Sequence, residues 1–416
     1  MKVLVLGGGV VGMAAAYYLG RDGHEVEVIE RNDKAAAETS YGNAGLVSPG
    51  DSYAWASPAA LAVFIKSLYR SDLGIKVRFN LDPHFIAWSL KFLLQCTHGR
   101  AHINTMRKLR IALYSKTCIN EIATDTKVAY DAGSKGILYF YRSQQSLDAG
   151  ARHMQILADN GLTMEVIGRD RLVELEPGLS SAAHEIAGAV YSPIDQTGDS
   201  CKFSRNLAQW CEANLSVRFH YQTTAGAIET DGDRVTGVMT DKGRLAADAI
   251  VVALGPETPL LTRKIGLSIP IYPVKGYSAT IPLKDKSAGP TMGGVDEDRL
   301  IAYSRLGDRL RVASTAEFAG YDRSHRPADF QRLLKTAGDL FPGCVDAASA
   351  EYWAGLRPMT PTSVPILGQA RYRNLFLDCG HGHVGWTMAC GSGKFVADLV
   401  AGRKPEIDPD GLLYVN

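Results

Sequence analysis

The first thirty residues alternate between strand-like and helix-like hydrophobic patterns. An apolar run over residues 2–6 is followed by a helical pattern over 10–21 and by a second apolar run that ends at Glu30. Between the first run and the helix lies Gly7-Gly8-Gly9-Val10-Val11-Gly12. A glycine-rich turn from a strand into a helix, with an acid about 20 residues further on, is typical of a dinucleotide-binding βαβ unit.

Each part of this unit has a physical task. Gly7 permits the tight turn, Gly9 lets the backbone approach a pyrophosphate, and Gly12 lets the helix pack on the strand. The helix N-terminus supplies unpaired N–H groups and the positive end of a dipole. Glu30 is placed to accept hydrogen bonds from an adenosine ribose, and its charge disfavours the 2′-phosphate of NADP. This motif alone leaves NAD and FAD open.

The rest of the chain alternates between helical and strand periods. Helical patterns cover 59–125 in three parts (61–65, 85–94 and 102–124), then 146–159, 200–213, 327–340 and 386–400. Strand patterns cover 136–142, 186–191, 216–220, 224–229, 234–239, 249–254, 270–282, 299–316 and 375–378. A helix followed by short strands and then by the apolar run 249–254 predicts a β-meander that returns to a central parallel strand.

A second glycine-rich turn, at residues 380–385, separates the strand 375–378 from the last helix. It places another helix N-terminus against a ligand. A flavin that accepts hydride needs positive potential near its pyrimidine ring, and helix N–H groups supply it. One glycine loop for the pyrophosphate and another for the isoalloxazine favour FAD over NAD.

These patterns predict an α/β fold, α+β overall, in which two domains interleave. The FAD-binding domain is Rossmann-like with a β-meander and takes residues 1–80, 192–265 and 346–416. The substrate or cap domain has a mixed to antiparallel sheet with helices and takes residues 81–191 and 266–345. A chain of 416 residues is long enough for two such cores.

Composition argues against some classes of partner and compartment. The 45 basic and 44 acidic side chains nearly cancel, so no net field would draw nucleic acid to the protein. Seven cysteines without a C-x-x-C pair suit reduced thiols in the cytoplasm. Because the first strand starts at residue 2 we expect no signal peptide, and no apolar run reaches the roughly 18 residues of a membrane span. For the helix at 85–94 we favour core packing over peripheral contact with the inner membrane or a quinone.

Four groups of motifs stand out together. They are GGGVVGMAAAYYL (7–19) with Glu30, ETSYGNAGLVSPG (38–50), YPVKGYS (272–278), and WAGLRPMTPTSVPILG (353–368) with GHGHVGWTMACGSGK (380–394). They resemble the bacterial FAD-dependent D-amino acid dehydrogenases of the small-subunit type, within the D-amino acid, glycine and sarcosine oxidase superfamily. The resemblance covers nearly the whole chain, including the segment 195–199 before the meander.

The resemblance implies FAD as cofactor and a role for each matched position. The pyrophosphate is held by Gly7, Gly9, Val10, Val11 and Gly12, and the adenosine end by Glu30 and Arg31. The ribityl chain and flavin are contacted by Thr39, Ser40, Asn43, Ala44, Gly45 and Leu46. The backbone of Ala225 clasps the adenine, and Ala253 and Gly255 complete this half of the site. The pyrimidine side of the ring is met by Gly382, His383, Val384, Gly385, Trp386 and Thr387.

Arg357 is the residue that we expect to bind substrate. It precedes a proline, which imposes an extended geometry, and it stands where the resembling amino acid oxidases keep the arginine for the substrate carboxylate. A guanidinium binds that group through two parallel hydrogen bonds, although a structural ion pair between loops is the alternative. The further pocket candidates are Tyr53, Tyr277, Tyr303 and His381. Lys275 matches a basic residue that lies near the flavin in some relatives, or else it is an exposed residue at a strand end.

The implied reaction is oxidative deamination of a D-amino acid to a 2-oxo acid and ammonia. The Cα hydrogen passes as hydride to flavin N5, no general base is assigned, and the electrons go on to a quinone, another carrier or oxygen. D-proline, D-hydroxyproline, glycine or sarcosine are alternative substrates. A flavin monooxygenase is disfavoured because Cys379-Gly380-His381 replaces its acidic Gly-Asp segment, and a flavoprotein subunit that needs a partner stays open. No metal is expected, because His381 and His383 lack a third ligand at metal spacing.

Overall fold

The computed structural model describes residues 1–60, 74–78 and 82–415. The strands are, in chain order, β1 (Lys2–Leu6), β2 (Glu25–Ile29), β3 (Leu46–Val47), β4 (Ile75–Val77), β5 (Ile137–Tyr141), β6 (Glu165–Gly168), β7 (Gly188–Ser192), β8 (Gln196–Thr197), β9 (Val217–His220), β10 (Ala225–Asp231), β11 (Arg234–Thr240), β12 (Gly243–Ala246), β13 (Ala249–Val252), β14 (Tyr272–Pro282), β15 (Gly293–Asp296), β16 (Ile301–Leu306), β17 (Arg309–Phe318), β18 (Glu351–Met359), β19 (Ile366–Gln369) and β20 (Leu375–Cys379). The α-helices are α1 (Val10–Arg21), α2 (Pro83–Gln95), α3 (His98–Thr126), α4 (Gln144–Ala158), α5 (Arg169–Leu175), α6 (Ser200–Asn214), α7 (Thr258–Thr262), α8 (Gln331–Leu340) and α9 (Gly385–Val400).

A six-stranded sheet, in the order β19-β20-β13-β1-β2-β9, carries the N-terminal glycine turn. Strand β1 pairs in parallel with both β2 and β13. Val3 and Val5 pack into the core that contains α1 and α9, whereas Leu4 and Leu6 pack towards the β10–β12 meander. Both faces of this strand are therefore buried, which is why its sequence is a continuous apolar run.

The large sheet has nine strands, eight of them in the order β18-β14-β17-β16-β15-β5-β7-β6, with β4 paired to β17. Its long central strand β14 is antiparallel to both β17 and β18. Helix α8 packs on one face through Leu333 and Leu340. The opposite face of β14, β17 and β18 contributes one wall of a cavity.

The sequence patterns predicted most of these elements, and the α/β fold class is confirmed. Helix α1, the meander and helix α9 lie within one residue or two of the expected positions. Two strands differ from the expected division: β4 and β18 were assigned to the FAD-binding domain, yet both pair within the large sheet. Pairing between strands that are far apart in the sequence leaves no local pattern. The division into two domains stays a prediction. The predicted helical segment 61–65 lies outside the described residues.

Helix α2 presents two apolar faces. Phe85, Trp88 and Phe92 pack against Tyr272 and Phe318, as a core helix would. Its other side bears exposed large apolar residues, namely Ile86, Leu90, Leu93 and Leu94. The preference for core packing therefore holds for one face of the helix only.

Candidate active site

A cavity of about 760 Å³ is lined by residues of both sheets. Its volume lies in the range of small-molecule sites, and its walls are mostly apolar with a few charged groups. The predicted cofactor residues that line it are Gly7, Gly9, Val10, Val11, Glu30, Arg31, Thr39, Ser40, Asn43, Ala44, Leu46, Ala225, Ala253, Gly255, Gly382, His383, Val384, Gly385, Trp386 and Thr387. Among the predicted substrate residues, Arg357, Tyr277 and His381 line the same cavity.

The glycine turn at the start of α1 fits a pyrophosphate. Gly7 has φ +108°, and a Cβ on Gly12 would lie 1.9 Å from the Gly7 carbonyl oxygen, so the helix can approach the turn only without a side chain there. The N–H groups of the first helical turn have no partner within the helix, and Gly9, Val10 and Val11 line the cavity. Glu30 is fixed behind them, because one carboxylate oxygen accepts the Gly8 N–H at 2.8 Å and the other the Asn32 N–H at 2.8 Å.

The loop that follows β2 is held in place by buried polar contacts. Ser40 Oγ accepts the N–H of Val10 at 3.0 Å, which ties the loop to the glycine turn. Arg311, nearly fully buried, donates to the carbonyl of Asn43 at 2.9 Å, and Ser304 Oγ donates to the carbonyl of Ala44 at 2.7 Å. Gly45 itself does not line the cavity; its φ of +71° turns the chain there. The large sheet thus positions the loop expected to contact the flavin.

The second glycine turn leads into α9 beside this loop. Gly380 and Gly382 have φ values of +78° and +62°, and the helix begins at Gly385. Thr387 Oγ1 accepts the N–H of Ser48 at 3.0 Å. His381 Nε2 lies 2.8 Å from Ser392 Oγ. The N-terminus of α9 therefore faces the cavity, as the flavin end of the site requires.

Arg357 projects from β18 into the cavity. Its Nη1 donates to the carbonyl of Thr315 at 2.6 Å. Thr315 has φ +71°, an uncommon backbone for a β-branched residue, and such strain is concentrated at functional sites. A Cβ on Gly276 would lie 2.5 Å from the Arg357 guanidinium, so the glycine makes room for that group. Burial lowers the pKa of Arg357 to about 10, although the charge of Asp51 opposes this shift.

Asp51 and His383 face each other across the same cavity. The two side chains approach to 3.9 Å between His383 Nε2 and an Asp51 carboxylate oxygen, and Trp55 stacks on the imidazole with centroids 4.8 Å apart. Burial, with the charges of Lys108 and Arg357, lowers the pKa of His383 well below its usual range, so its ring is neutral at pH 7. The buried Nε2 has no hydrogen-bond partner among the described residues and is available as an acceptor.

Two further ionisable groups complete this end of the cavity. Lys108 is fully buried behind Asp51 and donates to the carbonyl of Tyr53; burial lowers its pKa. Burial also raises the pKa of Asp51, which Lys108 and Arg357 partly counteract. Glu297 lines the cavity as well, and burial together with the charge of Asp51 raises its pKa to about 8.

Three predicted pocket residues do not line the cavity. The Tyr303 ring is fully buried in the core of the large sheet, edge-on to Phe341. The Tyr53 ring stacks on His153, and only its backbone carbonyl points towards Lys108. Lys275 is neither exposed nor at the cavity: its Nζ donates to the Ser324 carbonyl at 2.9 Å and lies 3.3 Å from Asp322. Aromatic and basic residues satisfy such core contacts without any signature in the local sequence.

The sequence reading missed Asp51, Lys108 and Glu297. Asp51 had one available signal, since it is the charged residue that directly follows the small-residue segment 48–50. Lys108 lies on the long helix α3 and Glu297 follows β15, and neither position departs from an ordinary surface pattern. Only the tertiary structure brings them together.

Comparison with known proteins agrees with this geometry. Residues 2–399 match the family model DAO, described as FAD dependent oxidoreductase. The chain belongs to this family. FAD is therefore its cofactor, as the glycine turns predicted, and the DAO-family chain is an oxidoreductase.

The relatives of this DAO-family chain extend over its full length. It is 63% identical to "D-amino acid dehydrogenase 2" of Mesorhizobium japonicum, covering 100% of both chains. It is 45% identical to a D-amino acid dehydrogenase of Paramagnetospirillum magneticum, over 99% of this chain and 98% of the relative. The structure of glycine oxidase from Geobacillus kaustophilus matches with a TM-score of 0.74 at 22% identity, over 100% and 99% of the two chains, which shows a shared fold.

None of the helices among the described residues is long and apolar enough to cross a membrane. These residues also hold no group of three His, Cys, Asp or Glu side chains arranged to bind a metal ion.

Proposed function

We propose that this DAO-family chain catalyses FAD-dependent oxidative deamination of D-amino acids to 2-oxo acids and ammonia. The observation that carries this proposal is Arg357, whose guanidinium lines the cavity beside the flavin turn with most of its donors unused by described residues. The D-amino acid dehydrogenases that share 63% and 45% of its residues support the substrate class.

The lining residues fit FAD along the whole cavity. The N-terminus of α1 with Gly7, Gly9 and Gly12 would hold the pyrophosphate, and Glu30 the adenosine ribose. The loop from Thr39 to Leu46 and the start of α9 would enclose the ribityl chain and the ring. When bound, FAD accepts the Cα hydrogen of the substrate together with its electron pair.

The chain itself supplies position and field. Arg357 would bind the carboxylate through two parallel hydrogen bonds, with Thr315 holding the guanidinium from behind. Asp51 and the neutral His383 Nε2 would receive the N–H groups of the α-amino group. Fixing the carboxylate and the α-amino group orients Cα towards the flavin turn. The apolar walls exclude water from the reacting atoms.

A substrate panel tests this proposal. The FAD-loaded protein is mixed anaerobically with the D- and L-forms of alanine and methionine, with D-proline, and with glycine and sarcosine, and flavin absorbance is followed. We expect D-alanine and D-methionine to bleach the flavin faster than their L-enantiomers. If only glycine or sarcosine, or only D-proline, bleached the flavin, that amine would be the substrate in place of D-amino acids such as alanine.

We propose further that the electrons leave to a quinone at the membrane surface, on the cytoplasmic side. The support is the second face of α2, where Leu90 and Leu94 are 59% and 65% exposed next to the cations Lys91 and Arg100. An exposed apolar helix face flanked by basic residues is typical of interfacial helices. Leu90→Glu with Leu94→Glu should abolish co-sedimentation with anionic vesicles while dye-linked activity persists; equal sedimentation of both proteins would exclude this face.

A further inference from the structure

The cavity contains a carboxylate that the reaction described above does not use. Glu297 follows β15 and lines the cavity, and its carboxylate has no hydrogen bond or ion pair with any described residue. The charged groups that raise its pKa are Asp51, Asp296 and Asp298, which are all acidic. Asp51, in contrast, has Lys108 behind it and Arg357 across the cavity. Glu297 is therefore a carboxyl group of this wall without a cationic partner among the described residues, and a ligand cation beside it would favour its ionised form.

Neighbouring groups on the wall also accept hydrogen bonds. The side chain of His383 is only 10% exposed, and its buried Nε2 is without a partner in the described part of the chain. It points towards Asp51 at 3.9 Å. Glu297, Asp51 and His383 together offer more acceptors than a single α-amino group can fill, since an ammonium has three donors.

The sheet sets the distance between Arg357 and Glu297. In the strand order, β18 and β15 are separated by four spacings. At about 4.8 Å each, these spacings place the two backbones roughly 19 Å apart. The Arg357 side chain extends across the sheet, since its guanidinium lies over Gly276 of β14 and donates to the Thr315 carbonyl of β17. From β17 to β15 two strand spacings remain, about 10 Å. An extended amino acid with four carbons between Cα and a terminal cation fills such a length.

We infer that the cavity selects D-amino acids with a cationic side chain, and that Glu297 is the specificity-determining residue that binds the terminal cation. The inference rests on the proposed D-amino acid oxidation and names the substrate class of that same site. Lysine-like and arginine-like side chains meet the requirement of length and charge. Norleucine and citrulline match them in length but not in charge.

Kinetics of paired substrates test the selection. For the FAD-loaded enzyme we expect kcat/KM for D-lysine to exceed that for D-norleucine by about tenfold or more, and likewise for D-arginine over D-citrulline. Glu297→Gln should lower the D-lysine value roughly 10- to 100-fold and leave D-norleucine within about threefold. Glu174→Gln is the matched control, because its side chain is 63% exposed and lies outside the cavity.

Binding of unreactive analogues separates this inference from the proposed reaction. Calorimetry with 6-aminohexanoate and hexanoate compares a terminal ammonium with none, in ligands that lack the oxidisable amine. The wild type should bind 6-aminohexanoate at least about tenfold more tightly, and Glu297→Gln should bind the two alike.

Equal affinities in the wild type, or a preference that survives Glu297→Gln, would overturn the assignment of Glu297. If Glu297→Gln fails to retain FAD, the wild-type comparisons alone decide the substrate class. Oxidation of D-norleucine with a kcat/KM equal to that of D-lysine would refute this inference and leave the proposed function intact. Failure of every D-amino acid to bleach the flavin would instead reject the proposed function.

Discussion

Replacing Arg357 by alanine tests the carboxylate site directly. In the described part of the chain the guanidinium makes one hydrogen bond, to the Thr315 carbonyl, so its other donors are available for a carboxylate. Truncating one partner of a buried charge pair costs about 2 to 5 kcal/mol, which is roughly a 30- to 5,000-fold loss of affinity. Burial also lowers the pKa of Arg357 to about 10, so the cavity disfavours an unpaired guanidinium charge. We therefore expect a loss of affinity of roughly 30-fold or more.

The assay is anaerobic rapid mixing of the FAD-loaded protein, with the apparent Kd taken from the saturation of the flavin reduction rate. D-alanine is compared with D-alaninamide, which keeps the amine and Cα but has no carboxylate. Wild type should prefer D-alanine, and Arg357→Ala should lose that preference. Arg326→Ala is the control arginine, since its side chain is 82% exposed and outside the cavity.

Two results would refute this reasoning. An apparent Kd for D-alanine within threefold of the wild-type value, at full FAD content, would show that Arg357 does not bind the carboxylate. An equal loss for D-alanine and D-alaninamide would show that the residue acts through the shape of the site.

Three other substitutions test the surroundings. Gly12→Ala should release FAD, because the new Cβ would lie 1.9 Å from the Gly7 oxygen. The control Gly168→Ala should retain FAD, because its Cβ would have nothing within 4 Å. Equal flavin content per chain in the two variants would contradict the role of the glycine turn at residues 7–12. Lys275→Met should lower the free energy of unfolding by about 3 to 5 kcal/mol in urea titrations and leave flavin reduction unchanged; slower reduction at full FAD content would instead place this lysine near the flavin. The pKa of Glu297 is raised from 4.5 to about 8 in the folded state, so its contribution to stability is present below pH 4.5 and lost as the pH rises to about 8. The Tm of Glu297→Gln relative to wild type should accordingly rise between pH 5 and pH 9, and a constant difference would contradict that shift.

Local rules explain what the sequence could predict. Gly7 and Gly382 were recognisable because glycine turns favour positive φ values that few other residues adopt. Arg357 was recognisable because its motif resembles that of the amino acid oxidases, and the proline after it favours an extended backbone. Helix α6 begins where Asp199 caps it, with its side chain accepting the N–H groups of Cys201 and Lys202. Such constraints act over a few residues and leave a readable pattern.

The polar wall of the cavity escaped prediction because pairing between distant segments creates it. Asp51 comes from a loop after β3, Lys108 from α3 and Glu297 from the end of β15. Each residue type in isolation belongs to an ordinary surface. For the same reason the sequence did not reveal that Tyr303 and Lys275 lie away from the cavity. Their side chains fill core positions that only the large sheet defines.

The pairing of β1 with β13 has a consequence for the order in which the protein is made. About 240 residues separate the two strands, and β20, which leads into the second glycine turn, comes later still. At about 5 to 20 residues per second, β1 waits roughly 12 to 50 s on the ribosome for its neighbour β13. The glycine turn at residues 7–12 and the second glycine turn at residues 380–385 are thus both present only near the end of synthesis. Flavin capture is a late event, and until then the apolar N-terminal strand is a ready target for chaperones or aggregation.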